Sequence, residues 1–142
     1  MTEQNRTVFE RVRGGYAVIA TIAGHGLLAF RDPHGIRPLI MGSRNDQMWQ
    51  ETIFASESVA LDVLGYKVVR DIQPGEVVFV DMKGEVHSKV CSKKKTFTPC
   101  IFEYVYFARP DSMVDNISVY KSRLRMGEKI AQQVKKAKLD ID

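Results

Sequence analysis

The sequence is short of several things, and each lack removes a class of function. No apolar stretch approaches the roughly 18 residues that a membrane-crossing helix needs. The opening MTEQNRTVFERVR has no apolar centre, so it does not read as a secretory signal. Two cysteines, Cys91 and Cys100, build no disulfide framework. A reducing, cytoplasmic setting is therefore expected. His87, Cys91 and Cys100 lack the two close ligand pairs of a common zinc site. Neither cysteine carries a protease signature. G-x-x-x-x-G-K-[ST] and G-x-G-x-x-G are both missing. Thr2, if exposed as an N-terminal nucleophile, has no evident base or glycine-rich partner.

What the chain does have is an ordinary globular balance, 44% hydrophobic and 27% charged over 142 residues. That size fits one domain or part of one. The net charge of +4 is unevenly spread. Lys89, Lys93, Lys94 and Lys95 share one loop, and Arg123, Arg125, Lys129, Lys135, Lys136 and Lys138 crowd the C-terminal part. No aromatic residues alternate with the lysines as a base-stacking surface requires, so these charges read as a solvated loop and helix face. Nucleic acid is not an expected partner. A stand-alone basic module that binds nucleic acid or a protein is the alternative reading.

Hydrophobic spacing predicts a short helix over residues 3–13, stopped at Gly14-Gly15. Tyr16 to Ala23 is nearly continuous and β-branched, which predicts a strand buried on both faces. Gly24-His25-Gly26 turns it into a partner strand over 26–31, with His25 facing solvent. Further strands are expected over 38–42, 51–55, 66–70, 77–81 and 86–90. Ser56 is placed to cap a short helix, with Glu57 at its positive end and Gly65 as its stop. Gln73-Pro74-Gly75-Glu76 suits a type II turn. A lysine-rich linker follows over 91–99. From about Ile117 to Lys138 the period is helical, with Val119, Met126, Ile130 and Val134 on one stripe. Leu139-Asp140-Ile141-Asp142 reads as the first step of another strand. The class is α+β with a mostly antiparallel sheet.

One knot of charge stands out, in "AFRDPHGIRPLIMG" from Ala29 to Gly42. Arg31, Asp32, Gly35 and Arg37 sit between two apolar runs. Asp-Pro-His-Gly is good turn chemistry by itself. The arginines are free to pin the loop through carboxylates, with Asp32 and Glu57 as candidate partners. No nucleophile lies nearby in sequence, so a structural turn that sets strand register is expected.

"RGGYAVIA", "AFRDPHGIRPL", "ASESVALDVLGY", "DIQPGE" and "PCIFEYVYFARPDS" occur in this order. Together they resemble the amidophosphoribosyltransferase (glutamine phosphoribosylpyrophosphate amidotransferase) family over residues 10 to 142. The resemblance implies a partial N-terminal-nucleophile glutaminase of αββα layers. Residues 1–99 would be its C-terminal half. Residues 100–142 would hold the domain junction and the first helix of a phosphoribosyltransferase domain. It also implies an enzyme that moves glutamine-derived ammonia onto PRPP, giving 5-phosphoribosylamine at the first step of de novo purine synthesis. Glutamine and PRPP are the implied partners, Mg²⁺ the implied cofactor, and a homo-oligomer the implied state of the whole enzyme. The family's nucleophile is an N-terminal Cys whereas this chain starts Met1-Thr2, and the PRPP loop would lie beyond Asp142. An internal fragment, inactive by itself and holding no catalytic residue, is expected. Phe102 and Tyr106 match positions on the ammonia path. Cys100 matches an iron–sulfur ligand of some members, but its co-ligands fall outside this sequence and no cluster is expected here.

Overall fold

The computed structural model describes residues 8–45, 50–93 and 96–137. Strands β1 (Ala17–Ile22), β2 (Gly26–Arg31), β6 (Glu76–Asp81) and β7 (Val86–Val90) form one sheet in the order β1-β2-β6-β7. Strands β3 (Ile40–Asn45), β4 (Gln50–Ala55) and β5 (Lys67–Asp71) form a second, in the order β4-β3-β5. Every pairing is antiparallel. Ala29, Val78 and Val80 of the first sheet meet Met41 and Phe54 of the second, with Leu39 just before β3 and Ile72 just after β5, in one buried cluster. The core thus lies between two stacked sheets, fed by alternate residues of each strand.

Helix α1 (Ser58–Val63) covers the other face of the second sheet. Met41 points into the core, so Gly42 points away from it, towards α1. A side chain at Gly42 would run into Leu61 and come within 3.1 Å of Ile53. The helix stops as the sequence predicts. Gly65 takes φ +74, its N–H donates to Asp62, and the Tyr66 N–H donates to Leu61. That pair of bonds satisfies two of the last carbonyls in a Schellman arrangement. The type II turn also holds, with Gly75 at φ +69 and the Glu76 N–H 3.0 Å from the Gln73 carbonyl.

The last third adds a π-helical turn (Glu103–Phe107), a two-stranded ribbon of β8 (Met113–Val114) and β9 (Ile117–Ser118), and helix α2 (Val119–Ala137). Tyr104, Ala108, Val114 and Val119 make a second small core, with Met126 packed against it. Among the described residues no helix is long and apolar enough to cross a membrane.

Four expectations need correction. Strand β1 is not buried on both faces: it is the edge of its sheet, and its residues alternate between exposed and half-buried. Ser56 does not cap α1, because the helix begins at Ser58 with Glu57 in the cap position. The helical reading from Ile117 takes in β9, which the hairpin claims first. The α2 stripe is only partly packed, since Val119 is buried while Ile130 and Val134 stay 64% and 40% exposed. The first predicted helix is seen as one turn over 8–11. Its start, Thr2, Lys94, Lys95, Lys138 and the segment 139–142 lie outside the described residues.

Candidate functional site

The Ala29–Gly42 knot is built around Arg31, which is 1% exposed at the end of β2. Each of its five N–H groups has an acceptor. Nε donates to the Arg37 carbonyl at 2.6 Å. Nη1 donates to the Ile72 carbonyl at 2.9 Å and to Asp115 Oδ1 at 2.7 Å. Nη2 donates to the Gly35 carbonyl and to Asp115 Oδ2, both at 2.9 Å. The fork-on-fork contact with Asp115 is the strong, planar form of an arginine–carboxylate pair.

Asp32 is fully buried and, among the described residues, its carboxylate meets amides rather than a cation. Its Oδ1 accepts the N–H of His34 at 2.9 Å and of Ile36 at 3.1 Å, and its Oδ2 accepts the N–H of Arg37 at 3.1 Å. The carboxylate therefore folds the turn back on itself. Gly35 sits inside at φ +61, with Pro74 and Phe97 against its Cα. The pairing of Arg31 and Arg37 with Asp32 or Glu57 is thus corrected: Arg31 meets Asp115, and Arg37 meets Glu103 at 2.5 Å.

The outer edge of the turn carries the next segment of chain. The Thr98 N–H donates to the His34 carbonyl at 2.8 Å, and the Cys100 N–H to the Ile36 carbonyl at 3.3 Å. The π turn follows at once. Its inward residues are Glu103 and Tyr104, while Phe102 and Tyr106 are 58% and 77% exposed. Phe102 and Tyr106 both pack against Phe107, with ring centres 6.4 and 5.6 Å apart. After the turn, Glu57 Oε2 accepts the Arg109 N–H at 2.7 Å and the Ser112 hydroxyl at 2.8 Å. Ser58 Oγ accepts the Met113 N–H at 2.9 Å. The start of α1 thus anchors the chain between the π turn and β8.

Sequence reasoning missed Asp115, Asp71, Glu103 and Arg123. One signal for Asp115 was present: Asp115-Asn116 stands between Val114 and Ile117, and both residues take positive φ, +48 and +61. That is the two-residue hairpin turn whose twist suits antiparallel strands. It brings the Asp115 carboxylate to Arg31.

Two carboxyls near these contacts titrate above the ordinary range. Burial raises Asp71, and the neighbouring Asp115 charge adds to this against the pull of the Asp115 amide, Arg31 and the Asn116 amide. Burial also raises Glu103, with Arg37 opposing and Glu57 reinforcing. A carboxyl raised in the folded state holds its proton longer there than in the unfolded chain. Its share of stability is fully present below about pH 4 and is lost as pH rises through the raised value. Asp71→Asn keeps an oxygen for the two amides and removes the charge. It is expected to gain stability relative to the parent at pH 7 more than at pH 4.5, as read from urea midpoints. Equal differences at the two pH values would contradict this account.

Cofactor ligands were tested against the same geometry. Cys100 is half-buried, and among the described residues it shares no group of three or more His, Cys, Asp or Glu donors. Among the described residues Cys100 stands without the further thiolates that an iron–sulfur cluster needs. Asp81, Glu85 and His87 do approach one another, on the β6–β7 hairpin. Asp81 Oδ1 is already taken by the amides of Lys83 and Glu85, at 2.8 and 3.0 Å.

No family model matches the chain. The chain is 53% identical over 131 residues to the amidophosphoribosyltransferase of Pasteurella multocida, covering 92% of this chain and 26% of that protein. It is 48% identical over 132 residues to that of Escherichia coli, covering 92% of this chain and 26% of that protein. The fold is similar to a solved structure described as the allosteric regulatory enzyme of purine biosynthesis, with TM-score 0.81 and 30% identity, over 96% of this chain and 27% of that one. It is also similar to the glutamine phosphoribosylpyrophosphate amidotransferase of B. subtilis complexed with ADP and GMP, with TM-score 0.80 and 30% identity, over 96% of this chain and 28% of that one. The chain spans about a quarter of the length of the curated relatives it matches. In sequence and in fold, over nearly all its length, the chain matches a segment of the amidophosphoribosyltransferases.

Proposed function

We propose that this chain serves as a segment of a glutamine-dependent amidophosphoribosyltransferase. The whole enzyme would release ammonia from the amide of glutamine and pass it to PRPP. Ammonia would displace pyrophosphate there and leave 5-phosphoribosylamine. In this reading residues 1–99 are the second half of the glutaminase unit, and residues 100–142 are the junction and first helix of the transferase unit. Glutamine and PRPP, with Mg²⁺ beside the latter, are partners of the whole cytoplasmic homo-oligomer. No residue of this segment is assigned to attack glutamine or to hold Mg²⁺.

The observation that carries the reading is the match of 92% of the chain in sequence and 96% in fold to these enzymes. Phe102 and Tyr106 lie exposed on the link between the two proposed units, where rings can wall a path that keeps ammonia from water. Arg31, Asp32, Gly35 and Arg37 are assigned a structural role: they fix the turn on which that link rests.

The test is a segment exchange. The chain replaces its counterpart in the Pasteurella multocida enzyme, and product formation is measured with glutamine and with ammonia as nitrogen donor. Glutamine-supported activity within about tenfold of the parent is expected. In that chimera Tyr106→Ala should lower the glutamine-supported rate while sparing the ammonia-supported one. A folded chimera active only with ammonia would overturn the reading of the segment, and an unchanged ratio in Tyr106→Ala would overturn the path.

A further inference from the structure

We propose that Arg37 is a positioning residue for the aromatic turn, a strut that fixes where Phe102, Tyr106 and Phe107 stand relative to the paired sheets. The inference rests on the reading that this turn lines the ammonia path, and it adds a residue to that site.

Arg37 is held at its own backbone before it holds anything else. Its N–H is spent on Asp32 Oδ2 and its carbonyl on Arg31 Nε. The residue is therefore tied twice to the buried knot, and the root of its side chain cannot drift. From that root the guanidinium reaches two parts of the π turn. Nη1 faces Glu103 Oε1 at 2.5 Å, and the guanidinium carbon lies 5.7 Å from the centre of the Phe107 ring. The first contact grips the first residue of the turn and the second grips the last.

Glu103 explains why the grip matters. Its side chain is 6% exposed, and Oε1 meets the arginine charge without an aligned hydrogen bond. Glu57, the other charged group acting on it, is an anion and repels it. A buried carboxylate so placed depends on Arg37, the cation that faces it among the described residues. Arg37 is itself 43% exposed, so it can be replaced without opening a cavity.

A second arginine holds the same turn from the opposite side. Arg123 of α2 donates from Nε to the Tyr104 carbonyl at 2.8 Å and from Nη2 to the Ala108 carbonyl at 2.7 Å. A π turn leaves carbonyls that its own wide ladder does not use, and single π turns occur often at functional sites. Here Arg123 fixes the turn to the helix, and Arg37 fixes it to the sheets. With Arg37 gone, the body of the turn would be held to the helix by Arg123, and to the sheets only through the flanking bonds of Cys100 and Arg109.

Two measurements separate this assignment from the functional reading it rests on. The first is amide exchange on the full chain carrying Arg37→Gln. Amides of residues 104–108 are expected to exchange at least tenfold faster, while those of Val78 and Val80 in the core stay unchanged. Arg37→Lys keeps a cation for Glu103 and loses the planar contact with Phe107, so it should recover part of the protection. Glu103→Gln removes the need for a cation, so the effect of Arg37→Gln should shrink at least threefold in that background. Unchanged exchange at 104–108 in Arg37→Gln overturns the proposal. The second measurement is the ratio of glutamine-supported to ammonia-supported synthesis in the segment-exchange chimera. Arg37→Gln should lower the ratio at least threefold, and Arg37→Lys should partly restore it. A ratio unmoved by Arg37→Gln but lowered by Tyr106→Ala overturns the positioning role alone. A ratio unmoved by either overturns the ammonia-path reading, and the positioning role with it.

Discussion

Arg31→Met is expected to lower the unfolding free energy by about 3–5 kcal/mol, the usual penalty for stripping one partner from a buried ion pair. The loss has two parts. The Asp115 carboxylate, 10% exposed, is left without its cation. The carbonyls of Gly35, Arg37 and Ile72 also lose a buried donor. Arg31→Lys isolates the second part. It keeps the positive charge, but an ammonium has three donors on a flexible stem and cannot reproduce a planar fork. Less than half of the stability should return. Urea unfolding of both variants, with slopes compared to confirm a common unfolded state, gives the answer. A lysine variant within about 1 kcal/mol of the parent would show that charge alone sustains the knot, since each hydrogen bond to a charged group is worth about 1.5–3 kcal/mol.

Asp32→Ala is expected to cost about 3 kcal/mol, by stranding the amides of His34, Ile36 and Arg37 in a buried turn. Three separate penalties do not simply add, because the turn relaxes and admits water. Asp32→Asn keeps an acceptor for two of the amides but turns an N–H₂ towards Arg37, so about half of the loss should be recovered. The same unfolding experiment reads both. In the chimera, an Asp32→Ala variant of unchanged stability that has lost glutamine binding would sink the structural assignment and make this carboxylate part of a binding site.

Much of the sheet was legible because it is written in local rules. Pro-Gly marks the type II turn at 73–76, Gly65 marks the end of α1, and β-branched runs mark the strands. The errors come from information that is not local. Tyr16 to Ala23 is apolar enough for a buried strand, but burial depends on how many strands lie beside it, and among the described residues β1 has one neighbour. In the sequence Glu57 reads as a helix-end charge or as a partner for Arg31 or Arg37, whereas its carboxylate serves Arg109 and Ser112, more than fifty residues on. The knot was legible as a turn, since Asp-Pro-His-Gly folds back by its own chemistry. Its ion pairs were not, because nothing near Arg31 in sequence points to a carboxylate 84 residues away. The π turn had no signal either: its shape follows from holding Glu103 and Tyr104 inward and the rings of Phe102, Tyr106 and Phe107 outward.

The shell around Arg31 also sets a timetable. Its acceptors enter the chain in order: Gly35 and Arg37 within one turn, Ile72 after β5, and Asp115 last. At roughly 5–20 residues per second, a ribosome joins Asp115 about 4–17 s after Arg31. Over that interval the two sheets can pair while the guanidinium waits for its counter-charge. The arrival of a two-residue hairpin, rather than of any strand, is what completes the electrostatics of the nascent core.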